Sequence, residues 1–117
     1  MDPKVDVLRR LCRGSGVMNE TQFHEAAQVF GAEDLELFNE ALLFAVELIR
    51  DHKVRAAFDS ALNLDNKVST LTDRRMYLWG VQAAGRSLRT IIRHEQAAAE
   101  QVAYSLTVIL QHERFQP

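Results

Sequence analysis

The stretch from Glu33 to Arg50 constrains the fold of this chain more than any other, because it is apolar around most of a helix. Its apolar residues recur at spacings of three and four in two adjacent rows. The first row comprises Leu35, Phe38, Leu42, Ala45 and Ile49, and the second comprises Leu37, Ala41, Phe44 and Leu48. A helix of this kind needs other helices against both rows. We therefore predict a helical bundle with this helix, about residues 33–50, at its centre.

The composition favours a single all-α domain spanning residues 1–117. Apolar residues make up 47% of the chain and charged residues 26%, which is typical of a globular protein and not of a disordered one. Only five glycines and two prolines are available for turns, too few for a β-sandwich or barrel, and no strand-like alternation occurs. The expected architecture is a compact bundle of five or six helices.

Several helix boundaries can be predicted from local signals. Asp2 followed by Pro3 is typical of a helix start, and Asn19 with Gln22 three residues later forms a capping-box pattern. Gly31 is expected to end the second helix. The segment 51–53 either breaks the central helix or bends it, and residues 63–72 provide the main connection, with Thr70 or Thr72 capping the next helix.

The segment from Asp73 to about Arg114 contains no strong helix stop. A straight helix of that length would measure ~60 Å, whereas a compact domain of this size has a radius of gyration of ~13–14 Å. The helix therefore either breaks near 94–97 or stays continuous and pairs with a second copy of the chain. We favour the break, which gives one helix over 73–93 and another after it.

Charge is distributed unevenly along the chain. Residues 14–51 carry one basic and eight acidic residues, whereas residues 52–93 carry eight basic and three acidic residues. Each segment repels itself and attracts the other. This asymmetry indicates contacts between oppositely charged faces, either within one chain or between two.

The basic segment contains a regular row that is our first candidate binding surface. On a helix over 73–93, steps of four and three residues place six side chains in one stripe: Arg75, Trp79, Gln82, Arg86, Arg89 and Arg93. Arginines can bind phosphate or carboxylate groups through paired hydrogen bonds, and a Trp among them can stack on a base. The stripe predicts an anionic partner, although a solvated charged face is equally compatible with it.

The central helix carries a matching acidic row, our second candidate surface. It consists of Glu36, Glu40, Leu43 and Glu47, again in steps of four and three residues. Pairing of the two rows favours self-association, and arginines engaged by glutamates are not available for phosphates. The isoelectric point near 6.1 also argues against a dedicated nucleic-acid domain.

No metal, cofactor or catalytic site is predicted. The four histidines form no H-E-x-x-H motif, and the single Cys12 cannot complete a zinc site and is expected to be a buried apolar side chain. Four carboxylates (Glu33, Glu36, Glu47 and Asp51) partly resemble the magnesium ligands of all-α nucleotide pyrophosphohydrolases. The second pair is one residue too widely spaced for that family, so a small enzyme ranks third.

These patterns predict a non-enzymatic interaction or adaptor protein. It would self-associate, as a homodimer, or dock on a protein partner through complementary charged helix faces. The alternative is a nucleic-acid-binding accessory subunit that uses the arginine stripe of the helix 73–93. No small-molecule substrate and no membrane association are predicted. The lone cysteine and the charged N-terminal residues favour a cytoplasmic location.

Overall fold

Six α-helices and one short 3₁₀ turn make up the part of the chain that the structure describes. The computed structural model describes residues 2–13, 16–64, 70–82 and 88–112, the side chains of Met18 and residues 79–82 excepted. The helices are α1 (Pro3–Cys12), α2 (Glu20–Val29), α3 (Leu35–Glu47), α4 (His52–Ala61), α5 (Leu71–Gln82) and α6 (Leu88–Gln111), and the turn is Gly16–Met18. The described residues contain no strand, so the predicted all-α bundle of five or six helices is confirmed.

The helix starts follow the local signals in the sequence. The Asp2 side chain accepts the backbone N–H of Lys4 at 2.9 Å ahead of Pro3, and Asn19 accepts the N–H of Gln22 at 3.1 Å. The capping box at α2 is one-sided, since Gln22 Oε1 has no hydrogen-bond partner among the described residues. Each cap satisfies an N–H group that the first turn of a helix leaves without a partner.

Two further caps separate α3, α4 and α5. Asp51 accepts the backbone N–H groups of Lys53 and Val54 at the start of α4, so the chain breaks at this point and does not merely bend. Thr70 Oγ1 accepts the N–H of Asp73 at 3.1 Å and caps α5. The short helix predicted after Asp51 is therefore present as α4.

Gly31 ends α2 through a backbone motif that requires a positive φ angle. Its φ is +75°, and its N–H donates to the carbonyl of Gln28. The N–H of Ala32 donates to the carbonyl of Ala27. This Schellman pairing satisfies the carbonyls at the end of α2, and glycine adopts the required conformation at little cost. The prediction that Gly31 stops the second helix is confirmed.

The longest helix, α6, organises the bundle. It packs against α1, α3, α4 and α5, and its buried side includes Ala98, Ala99 and Ala103, whose small side chains let neighbouring helices approach closely. It runs through residues 94–97 without interruption, so the predicted break there is wrong. The physical reason is local: residues 88–111 contain no glycine or proline.

The predicted helix over 73–93 is also wrong, because α5 and α6 are separate helices that lie against each other. The side chains of Arg75 and Glu95 meet at 2.6 Å, whereas a straight helix would hold residues twenty positions apart at ~30 Å. Leu78 of α5 packs with Ala57 of α4 and Ile91 of α6 in a small apolar cluster. Residues 83–87, between the two helices, lie outside the described part of the chain.

The helix predicted to be central, α3, shares the main core with α6. It contacts α2, α4 and α6, and its first apolar row is covered, with Phe38 and Leu42 fully buried and the Phe38 ring between those of Phe23 and Phe30. Its second row is covered only in part, because Phe44 is 46% exposed and Leu48 is 50% exposed. The expectation that helices cover both rows is therefore wrong for the C-terminal half of α3.

Candidate interaction surface

The predicted acidic row lies exposed along α3. Glu36, Glu40 and Glu47 are exposed, as is Leu43 between them, at 38%. The first and last glutamates are eleven positions apart, so the row is ~16 Å long. Among the described residues, no ion pair involves any of the three carboxylates. The structure thus brings all four predicted residues of this row together on one accessible face.

The exposed part of the second apolar row lies directly beside these carboxylates. Phe44 and Leu48 are four residues apart and so form neighbouring positions on the helix surface, next to Leu43 and Glu47. We call the six residues that share this side the α3 face: Glu36, Glu40, Leu43, Phe44, Glu47 and Leu48. It combines three large apolar side chains with three carboxylates.

A groove of about 570 Å³ adjoins the N-terminal end of the α3 face. Phe30, Leu37 and Leu110 contribute its apolar lining, and Glu36 and Glu40 contribute carboxylates. Its one lysine, Lys4, donates to Thr107 Oγ1 at 3.0 Å and lies 5.7 Å from the centre of the Phe30 ring. The groove is therefore mainly acidic, with an apolar floor that long side chains can contact.

A second groove, of about 530 Å³, lies on the other side of α3, between α3 and α4. Leu43, Val46 and Leu64 supply its apolar atoms, and its charged lining consists of Glu47, Asp59 and Arg55. Leu43 and Glu47 belong both to this groove and to the α3 face. The face consequently has one groove at its N-terminal end and another on the side toward α4.

The predicted arginine stripe does not exist as one row. Arg75 lies on α5, whereas Arg89 and Arg93 lie exposed on α6, and the stripe required all of them on a single helix. The side chains of Trp79 and Gln82, and all of Arg86, lie outside the described residues. Of the stripe, the structure therefore shows only Arg89 and Arg93 as exposed neighbours, one turn apart.

Arg75 has an internal partner instead of an external one. Its Nη2 and Nε donate to the two oxygens of Glu95 at 2.6 and 2.9 Å, in the paired geometry that arginine forms with carboxylates. The hydrogen bonds to Glu95 raise the pKa of Arg75, although burial opposes this. Glu95 is only 8% exposed, so the pair stabilises the contact of α5 with α6 and leaves Arg75 unavailable to a partner.

A residue that the sequence patterns do not single out, Arg74, is the most buried arginine that the structure describes. It is 4% exposed, its Nη2 donates to the carbonyls of Cys12 (2.9 Å) and Ala61 (3.1 Å), and its Nε donates to that of Ser60 (2.8 Å). These carbonyls end α1 and α4, where a cation is favoured by both helix dipoles. Burial lowers the pKa of Arg74. One sequence signal could have identified Arg74. Leu71, Arg74 and Leu78 follow each other at spacings of three and four residues, which places the arginine on the same side of α5 as two leucines.

Cys12 is buried, as predicted, and its surroundings disfavour the thiolate. It is 4% exposed, and burial, helped by the nearby charge of Glu95, raises its pKa to about 12. A nucleophilic cysteine needs the opposite shift, toward the thiolate at neutral pH. The group therefore belongs to the packing at the end of α1.

The described residues show neither the side-chain grouping of a metal site nor a helix of membrane-spanning type. No group of three or more His, Cys, Asp or Glu side chains there is arranged to hold a metal ion. Within the same residues, no helix combines the length and apolar character needed to cross a bilayer.

Comparisons with known proteins identify no relative. No protein-family model, no curated protein sequence and no solved structure matches this chain.

Proposed function

We propose that this protein is a non-enzymatic interaction protein that binds another protein chain through the α3 face. The observation that carries the proposal is the exposure of Leu43, Phe44 and Leu48 beside a row of carboxylates. Single exposed apolar residues are ordinary on a protein surface, but a contiguous group rimmed by polar residues is typical of an interaction site. Burying the exposed half of Leu48 alone would stabilise a complex by roughly 1 kcal/mol.

The charged residues of the face would supply selectivity. Carboxylates around an apolar centre speed the association of a cationic partner and penalise an anionic one. Nucleic acids and anionic lipid surfaces are therefore disfavoured on this side of the molecule. The partner, whether a second copy or a different protein, would cover the apolar residues and place cations near Glu36, Glu40 and Glu47.

A photo-crosslinking experiment tests this proposal. Benzoylphenylalanine would replace Leu48 on α3 or, as a matched control, Met76 on α5, which is 49% exposed against 50% for Leu48. Irradiation in the cells that naturally make the protein is expected to yield adducts with a protein chain from position 48 and not from position 76. Equal yields from both positions, or none from either, would contradict the proposal.

A nucleic-acid-binding accessory role is a second candidate, supported by the exposure of Arg89 and Arg93 on α6. The engagement of Arg75 by Glu95 weakens it. If arginines contact phosphates, binding to a random RNA or DNA must fall steeply with salt. Failure of the protein to bind a polyanion column at low salt would exclude this role.

A further inference from the structure

We infer that the partner of the α3 face is a basic amphipathic helix of a different protein, and not a second copy of this chain. The inference rests on the proposed function and identifies the class of partner. It follows from three properties of the described surface, namely the sign and length of the acidic row, the arrangement of the chain's own cations, and the shape of the face.

A symmetric dimer through the α3 face would be repelled by its own charges. Two-fold symmetry places the same patch of each copy against the other. The rows of Glu36, Glu40 and Glu47 would then face each other, and α3 contains no lysine or arginine to separate them. Like charges opposed across an interface are unfavourable, and most so where water is excluded.

An asymmetric dimer would need a basic surface on the same chain that matches the α3 face. The predicted candidate was the arginine stripe, but Arg75 is bound to Glu95, and the described cations that remain in it are Arg89 and Arg93. Four residues separate these two, about 6 Å along the helix, whereas the acidic row is ~16 Å long. The described remainder of the stripe is thus too short to pair with the whole row.

The shape of the face favours a helix as the occupant. Leu43, Phe44 and Leu48 form a ridge on α3, and an apolar helical face with residues at spacings of three and four can pack against it. Lysines and arginines flanking that apolar face would lie near the three glutamates. Their aliphatic stems could contact the apolar floor of the groove lined by Phe30, Leu37 and Leu110, with the charged ends near Glu36 and Glu40.

A displayed library of random 18-residue peptides tests this inference without assuming a sequence for the partner. Wild-type protein serves as bait, and each enriched peptide is synthesised and its affinity measured by fluorescence anisotropy. We expect enriched peptides to carry apolar residues at helical spacing and an excess of lysine and arginine, and to gain helical circular dichroism on binding. Their affinity must fall as salt concentration rises.

Two protein variants with the same change in net charge supply the controls. E36Q/E40Q/E47Q neutralises the α3 face, and E20Q/D73N/E100Q neutralises three exposed carboxylates on α2, α5 and α6. The first variant is expected to bind the enriched peptides at least tenfold more weakly than wild type. The second is expected to bind them within about twofold of wild type, because charged residues affect association and selectivity mainly at the interface to which they belong. Circular dichroism and urea denaturation verify that both variants fold.

The outcomes separate this inference from the proposed function. Absence of enriched peptides, enrichment of peptides without excess basic residues, or equal weakening by the two variants would overturn the inference. Crosslinks from position 48 to a second copy of the chain would also overturn it, while supporting the proposed interaction function. Absence of any crosslink from position 48 would overturn both.

Discussion

The guanidinium of Arg75 donates to both carboxylate oxygens of Glu95, at 2.6 and 2.9 Å, although twenty residues separate the two in the chain. This contact joins the side of α5 to the buried side of α6. It also withdraws Arg75 from the basic surface that sequence spacing predicts. One ion pair therefore contributes to the packing of α5 against α6 and also removes a positive charge from the surface.

Loss of this pair should destabilise the fold. Arg75→Met leaves the buried Glu95 carboxylate without its partner, which should lower the free energy of unfolding by about 2–3 kcal/mol in urea denaturation. Arg93→Met, an exposed arginine on the neighbouring helix, is the matched control and should change it by less than about 0.5 kcal/mol. Equal effects would mean that the pair contributes nothing specific.

A double variant separates the pair from its surroundings. Arg75→Met/Glu95→Met removes both charges and should be less destabilised than the sum of the two single variants. The loss of the double variant, subtracted from the sum of the two single losses, gives the coupling energy between the two side chains. Strictly additive losses would contradict the bidentate contact.

Arg74 should not be replaceable by lysine. Lysine keeps the positive charge but concentrates it on one ammonium, which cannot donate in the separate directions of the Ser60, Ala61 and Cys12 carbonyls. Arg74→Lys is expected to lower the free energy of unfolding by about 2 kcal/mol, and the exposed Arg89→Lys by almost nothing. Thermal unfolding followed by circular dichroism provides the comparison, and similar midpoints for both variants would contradict the role of Arg74.

Burial of the Cys12 thiol should make stability depend on alkaline pH. Its pKa is about 12 in the folded protein against 9.0 when unperturbed, so the unfolded chain loses this proton first as pH rises. The contribution of the buried thiol to the free energy of unfolding is fully present below pH 9. It is lost between about pH 9 and 12, where the free energy of unfolding falls by up to ~1.4 kcal/mol per pH unit. Other groups also titrate there, so the difference between wild type and Cys12→Ala is the quantity to follow. A constant difference from pH 8 to 11 would contradict the shift.

The two apolar rows of α3 should respond differently to truncation. Leu42 is fully buried, so Leu42→Ala should cost about 2–5 kcal/mol through lost contacts and a cavity. Leu48 is half exposed, and Leu48→Ala should cost about 0.5 kcal/mol or less while weakening partner binding. Urea denaturation of both variants checks this, and a large loss for Leu48→Ala would mean that the face is packed in the free protein.

Two glycines with positive φ angles allow a sharp comparison. An alanine Cβ at Gly16 would clash with the carbonyl oxygen of Leu62, whereas one at Gly31 would meet nothing within 4 Å. Gly31→Ala should cost only the backbone strain of ~1–2 kcal/mol. Gly16→Ala should cost clearly more, because the link between α1 and α2 must also move away from the end of α4. Equal losses in denaturant titrations would show that this contact is dispensable.

Local signals in the sequence predict several helix starts and one helix end well. Asp2, Asn19 and Gly31 act on backbone groups within a few residues, so their effect can be read without knowledge of the fold. The separation of α3 from α4 belongs to the same class, since Asp51 caps its own helix. The all-α class follows from the sum of such signals.

The arrangement of α5 and α6 could not be predicted in this way. The helix pattern alone permits one long helix over 73–93, and the contacts that exclude it join residues distant in sequence, such as Leu78 with Ile91. The same limitation applies to the candidate surfaces. The acidic row keeps its predicted geometry because it lies within one helix, whereas the arginine stripe loses its geometry because it spans two.

The hydrogen bonds of Arg74 have an evolutionary consequence. All three of its described acceptors are main-chain carbonyls, and a carbonyl is present whichever amino acid occupies positions 12, 60 or 61. At these three contacts, no exchange of a side chain on the acceptor residue can therefore compensate for the loss of the arginine. In chains that diverge from this one and keep the fold, positions 12, 60 and 61 can drift within the limits of packing, while position 74 should remain arginine.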